Sequence, residues 1–160
     1  MRRAALVAVG IVLAVAGIAA VGLIVSSRDD SEVAGTPDGP GQVQPEGADP
    51  PASGPHGREL VTRDGGPITD DQLVQALELG NVVILYDAAR PPAALTRLQN
   101  DVSGPFDAEL AAAGQAIILA RRAGSGPATA LAWKRILRSD DPADPQLREF
   151  AEFWLGRGIP

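Results

Sequence analysis

The longest uninterrupted apolar run in the chain is the feature that most constrains how it folds. Residues 4–25 read AALVAVGIVLAVAGIAAVGLIV and contain neither a charged residue nor a proline. As a helix this run would extend roughly 33 Å, which is enough to cross a hydrocarbon core of about 30 Å. Arg2 and Arg3 precede the run, and Asp29 and Asp30 follow it. The sequence therefore predicts a cytoplasmic N-terminus at residues 1–3, a transmembrane helix at 4–25 and an extracytoplasmic remainder.

The alternative interpretation of this run is a cleaved signal peptide. Such peptides have an apolar core of about 7 to 15 residues before a small-residue cleavage site. Small residues between Ala16 and Ala20 resemble such a site, but the apolar run continues beyond them to Val25. We therefore favour an uncleaved single-pass anchor in the cell membrane. The predicted partners are the lipid bilayer, through residues 4–25, and a protein of the membrane or cell envelope.

Composition excludes several classes of function. The chain has no cysteine, which removes disulfide frameworks, thiolate metal sites and cysteine nucleophiles. Its formal net charge is −6, and a body of this sign repels phosphate backbones, so we expect no nucleic-acid partner. His56 is the only histidine, which leaves few nitrogen donors for a metal site.

A Pro- and Gly-rich stretch follows the apolar run. Residues 26–57 contain six glycines, six prolines and no aromatic residue, with only Val33 and Val43 as branched apolar side chains. A stretch of this composition does not bury enough apolar surface to offset its ordering entropy. The sequence predicts a disordered acidic linker over 26–57 and an extracytoplasmic domain over 58–160.

Local signals within that domain predict an α+β fold with a small, mostly antiparallel sheet packed by helices. Thr69 and Gln72 have the spacing of a capping box, and Gly80 suits the end of the helix that follows. The loop AGSGP has the turn chemistry of a hairpin and is expected to join two strands. For the second of these strands a helix is the alternative, because the overlapping stretch ALAWKRIL also suits a helix. The remaining predicted elements are an edge strand at 59–62 (ELVT), a central strand at 81–87, a helix from Pro91–Pro92 to Val102, strands at 115–122 and 128–133, and a last helix capped by Asp144 with Pro145 at its first position.

Three stretches together resemble a known family. DPPASGPH at 49–56, LVQALELGNVVILYD at 73–87, and ALAWKRILRSDD running into LREFAEFWLGRGIP are similar to the bacterial domain-of-unknown-function family 3105. The resemblance covers about residues 49–160, with the blocks in the expected order and spacing. It implies an extracytoplasmic domain that follows one membrane helix.

The resemblance also implies a set of histidines that this chain lacks. Family members commonly have histidine at the positions of Gln75, Leu79 and Leu85. Two histidines four apart lie on one helical face, and with the histidine of the Pro-rich stretch they would make a workable metal site. Leucine does not coordinate metals and glutamine is a poor transition-metal ligand, so this member has lost most of that site.

The two remaining candidates are His56 and Glu78. Three interpretations of His56 stay open: it fixes the Pro-rich loop, it belongs to a binding site without metal, or it is a metal ligand completed by another group. Two ligands are fewer than the three that a catalytic zinc site normally takes from protein. We therefore expect no catalytic residues and no cofactor in a non-catalytic interaction or structural domain. The alternative is a metal-binding or metal-dependent enzyme-like domain that uses His56 and Glu78.

Overall fold

A five-stranded sheet forms the centre of the structure, a computed structural model that describes residues 38–159. Its strands are β1 (Gln42–Val43), β2 (Val82–Tyr86), β3 (Ile117–Arg121), β4 (Ala128–Ala132) and β5 (Arg135–Ser139). The helices are α1 (Asp70–Leu79), α2 (Ala93–Val102), α3 (Ala108–Ala112) and α4 (Pro145–Trp154). The strand order is β1-β5-β4-β2-β3, and only the β2–β3 pair is parallel. The predicted α+β class with a mostly antiparallel sheet is confirmed.

Helices cover both faces of this sheet. Val82, Ile84 and Tyr86 on β2 pack with residues of α2 and α4, whereas Val83 and Leu85 pack with residues of α1 and α3. Successive side chains of a strand point to opposite faces, so a strand covered on both faces has an unbroken apolar sequence. All five residues of β2 are buried, in agreement with its predicted interior position.

The predicted caps of α1 are confirmed. The hydroxyl of Thr69 accepts a hydrogen bond from the backbone N–H of Gln72, and the Gln72 side chain accepts one from the backbone N–H of Thr69. Gly80 ends the helix in the left-handed region at φ 110°. The backbone N–H of Ile159 donates to the carbonyl of Glu78 at 3.0 Å. The C-terminal residues therefore lie against the end of α1.

The last helix also begins where the sequence predicts. The Asp144 side chain accepts a hydrogen bond from the Gln146 N–H at 2.9 Å, and Pro145 occupies the first turn. Trp154, near its end, is 2 % exposed and belongs to the core with α2 and the sheet. This face of α4 packs on the sheet, as its apolar periodicity predicts.

The predicted hairpin between the strands at 115–122 and 128–133 is wrong. Both strands exist, but β2 lies between them: Ile84 pairs with Leu119 of β3 on one side and with Ala130 of β4 on the other. The AGSGP loop crosses the end of β2, and the Asp87 N–H donates to the carbonyl of Gly126 at 3.1 Å. Non-local pairing of β2 with both strands overrides the local turn signal, and in this interior position β2 is buried on both faces and paired along both edges.

The hairpin that does form joins β4 to β5. Its two-residue turn is Trp133–Lys134, with Lys134 at φ 59°. The stretch ALAWKRIL therefore spans the end of β4, the turn and the start of β5, and the helical alternative is wrong. The sequence did not predict β5, since neither turn residue is typical of a hairpin.

The predicted edge strand at 59–62 does not pair with any strand in residues 38–159. The outer edge of β3 is instead covered by the turn that follows. The Gly65 N–H donates to the carbonyl of Leu119, and the Arg121 N–H donates to the carbonyl of Gly66, both at 2.8 Å. Pro67 forms an isolated bridge with Arg121. A short turn segment thus satisfies the hydrogen-bonding groups of this edge.

The folded domain begins earlier than the predicted boundary at 57/58. Residues from Gly39 onward form one compact unit, in which β1 pairs with β5. The Trp154 Nε1 donates to the carbonyl of Pro40 at 2.8 Å, and Ala52 is fully buried. This part of the predicted linker is held by backbone hydrogen bonds and small buried residues, so its low apolar content did not reveal it.

The predicted anchor at 4–25 and the first part of the linker lie outside the described residues. Within 38–159, no helix has both the length and the apolar character needed to cross a bilayer.

Candidate functional site

His56 connects the Pro-rich segment, residues 49–56, to α1. Its Nδ1 lies 2.9 Å from the carbonyl oxygen of Gly54, and its Nε2 lies 2.8 Å from Oε2 of Glu78. The side chain of His56 is 10 % exposed and that of Glu78 is 39 % exposed. Each ring nitrogen of His56 therefore lies within hydrogen-bond distance of an oxygen atom, one on the backbone and one on the Glu78 side chain. The two residues singled out in the sequence are thus direct partners.

An open pocket of about 610 Å³ lies beside the His56–Glu78 contact. His56 and Glu78 line the pocket. Gln75 and Leu79, two positions at which the resemblance implies histidine, line it as well. Residues 75, 78 and 79 share one face of α1, because positions three and four apart in a helix are neighbours. The structure therefore brings together three of the four positions at which the resemblance implies imidazoles.

Leu85, the fourth position, lies elsewhere. It is fully buried in the core between the sheet and α1, in the same cluster as Leu73 and Leu77. It does not line the pocket. A ligand at position 85 would approach the opposite, inner side of α1.

The donors present do not fit a transition-metal centre. Residues 38–159 contain no group of three or more histidine, cysteine, aspartate or glutamate side chains placed to hold a metal ion. His56 and Glu78 already engage each other, and Gln75 offers only an amide oxygen. Leu79 presents an apolar side chain where the family implies a ligand. The lining of this pocket is partly apolar and contains the His56–Glu78 contact.

Three further pocket residues were not predicted from the sequence. Arg58, Leu60 and Ile159 complete the lining. Leu60 is 50 % exposed and Ile159 is 47 % exposed, so two large aliphatic side chains with solvent-exposed surface line the same pocket. The only available signal was the apolar pattern of residues 59–62, because the approach of Ile159 to α1 depends on the tertiary fold.

Arg122 holds the neighbouring surface together. Its guanidinium lies 2.6 Å from a carboxylate oxygen of Asp49 and 2.5 Å from one of Asp70. Burial by itself would lower the pKa of Arg122, but the two carboxylates outweigh burial and raise it above its usual value. These ion pairs join the Pro-rich segment to the first turn of α1, so that segment is fixed at both ends of the helix.

A second polar cluster lies at the outer edge of β3. The Asp64 carboxylate accepts hydrogen bonds from the Leu119 N–H at 2.6 Å and from the Gln99 side chain at 2.7 Å. Burial raises the pKa of Asp64, and these hydrogen bonds oppose the rise. The Tyr86 hydroxyl donates to the carbonyl of Gly65; burial raises the pKa of Tyr86, and the nearby Asp64 charge adds to this rise. These contacts fix a turn and do not face the His56 pocket.

Comparison with known proteins agrees with the sequence resemblance. Residues 45–158 match the family described as "Protein of unknown function (DUF3105)". The chain belongs to this family. The matched range begins within the part of the predicted linker that packs on β5, which agrees with an early start of the folded domain. No match was found among curated proteins or among solved structures.

Proposed function

We propose that this member of the DUF3105 family is a single-pass membrane protein whose domain acts outside the cytoplasm as a non-catalytic interaction domain. The observation that carries the proposal is the composition of the His56 pocket. Its only imidazole is engaged by Glu78, while Leu79 and Ile159 give the pocket an apolar wall. Such a pocket favours binding over metal-assisted chemistry.

The proposed location rests on the sequence of residues 1–25. Basic residues precede an apolar run long enough to cross a bilayer, and acidic residues follow it. Protease added to intact cells should remove the domain and leave the anchor. Resistance to protease in intact cells, together with cleavage in lysed cells, would contradict the proposed orientation.

The absence of a metal function is tested by thermal unfolding of the full-length chain with added Zn²⁺ or Cu²⁺. A ligand that binds only the native state raises its melting temperature, so we expect no upward shift. The double variant Gln75→His/Leu79→His provides the positive control, because it places two more imidazoles in the same pocket. A clear upward shift in the natural chain would support the alternative, a metal site at His56 and Glu78.

A further inference from the structure

We propose that residues 58–62 and the adjoining pocket bind an extended peptide segment of a partner protein, which pairs with this segment as an added strand. This inference rests on the proposed function and specifies its partner: a peptide with apolar side chains at alternate positions and an acidic residue. Strand addition of this kind obtains affinity from main-chain hydrogen bonds and specificity from pockets for alternate side chains.

The segment already has the side-chain alternation of a strand. Glu59 faces α1, where its carboxylate accepts hydrogen bonds from the Thr69 hydroxyl and the Gln72 amide. Val61 packs against the core cluster beneath α1. The residues at the alternate positions, Arg58 and Leu60, line the pocket. This period of two holds over residues 58–61, which overlap the strand that the sequence predicts at 59–62.

The backbone of this segment lacks the partners that a strand requires. Within the described part of the chain, no hydrogen bond involves a backbone N–H or C=O of residues 58–63. Pairing along β3 begins only at Gly65. A strand-like sequence with an unpaired, exposed backbone is a ready template for another chain. The strand predicted at 59–62 would then form when the partner binds.

Side-chain chemistry of the pocket defines the peptide. Three large hydrophobic side chains are exposed in residues 38–159, and two of them, Leu60 and Ile159, line this pocket. They favour an apolar side chain of the partner, which would bury this surface. Arg58 is exposed and forms no ion pair with any described residue, so it favours a carboxylate at a neighbouring position of the peptide.

The test is selection of short random peptides, displayed on phage, against the full-length chain. We expect enriched peptides to alternate apolar and polar residues and to carry an acidic residue. Leu60→Lys and Arg58→Glu should each lower the affinity of the chain for a selected synthetic peptide by about tenfold or more. Leu110→Lys, which changes the third exposed hydrophobic residue on α3, is the matched control and should leave affinity unchanged.

Amide hydrogen exchange provides the second measurement. Amides of residues 58–63 should exchange rapidly in the full-length chain alone and become protected when the selected peptide binds. The proposal is overturned if no peptide is enriched, if Leu60→Lys binds as well as the natural chain, or if these amides are already protected without peptide. In the last case a segment of the same chain occupies the site. None of these outcomes produces a metal-dependent melting shift, so they are distinct from failure of the proposed function.

Discussion

Nε2 of His56 lies 2.8 Å from Oε2 of Glu78, and this contact joins the Pro-rich segment to the last turn of α1. The same imidazole bonds to the carbonyl of Gly54 within that segment. The lone histidine of the chain therefore has a structural partner on each side, and the pocket beside it is shaped by this connection.

Replacing His56 tests the connection. His56→Ala should lower the free energy of unfolding by about 1 kcal/mol, because it removes the contacts of the imidazole with the Gly54 carbonyl and with the partly exposed Glu78. Urea unfolding of both chains measures the change. Glu78→Gln, which retains a hydrogen-bond acceptor, should cost less than His56→Ala. Equal stability of His56→Ala and the natural chain would show that the connection does not hold the segment.

Asn81 is expected to be more important for stability than any residue of the pocket. Its side chain donates to the carbonyls of Ala76 and Ala111 and accepts from the Ala116 N–H, all in the buried interior. Asn81→Ala leaves the buried Ala116 N–H without its partner and removes two further hydrogen bonds, so it should cost roughly 2 to 4 kcal/mol in urea unfolding. The exposed Asn100→Ala is the matched control and should change stability little. A small effect of Asn81→Ala would mean that water replaces the side chain.

The Asp64 cluster predicts a pH dependence of stability. Burial raises the pKa of Asp64 in the folded state, so the folded state binds its proton more tightly than the unfolded state. Protonation of Asp64 therefore adds to the free energy of unfolding. This contribution is fully present below the pKa of Asp64 in the unfolded chain, near 3.8, and is lost as pH rises through the raised pKa of Asp64 in the folded state. The stability of the natural chain minus that of Asp64→Asn should therefore decrease as pH rises across this interval.

Urea unfolding of both chains, from about pH 3 to about pH 7, measures that difference. Asp140→Asn removes a carboxylate from an exposed position and controls for the change in net charge. A difference that increases with pH would show that the hydrogen bonds from Leu119 and Gln99 outweigh burial and that the direction of the pKa shift is opposite.

A substitution at Gly39 tests whether the folded domain begins before the predicted boundary at 57/58. A β-carbon at this position would overlap the ring of Phe153 and lie 2.7 Å from Cζ2 of Trp154. Gly39→Ala should destabilise the chain by about 1 to 3 kcal/mol through overpacking. At Gly66 a β-carbon meets only Arg63, at an ordinary 3.7 Å, so Gly66→Ala is the matched control. Equal melting temperatures of the two variants would place Gly39 outside the folded unit.

Elements with strong local signals were predicted closely. The capping box at Thr69, the left-handed Gly80 and the Asp144–Pro145 start of α4 each depend on a few adjacent residues, and the structure has all of them. The apolar run of β2 likewise identified an interior strand. Turn chemistry at AGSGP predicted the wrong neighbours, because strand pairing is decided by contacts distant in sequence.

The site was predicted only in part, for a similar reason. His56 and Glu78 were identified from residue type and family resemblance, but their direct contact was not. Arg58, Leu60 and Ile159 reach the pocket from segments that are far apart in the chain.

The sequence by itself determined the fold class, both ends of α1, the start of α4 and the shortage of metal ligands, because these depend on local spacing and on which side chains are present. Only the tertiary structure decided that the Pro-rich segment belongs to the domain, that β2 separates β3 from β4, and that residues 58–62 pair with no strand among residues 38–159. Each of these depends on hydrogen-bond pairing and packing between distant segments, for which the local sequence contains no signal.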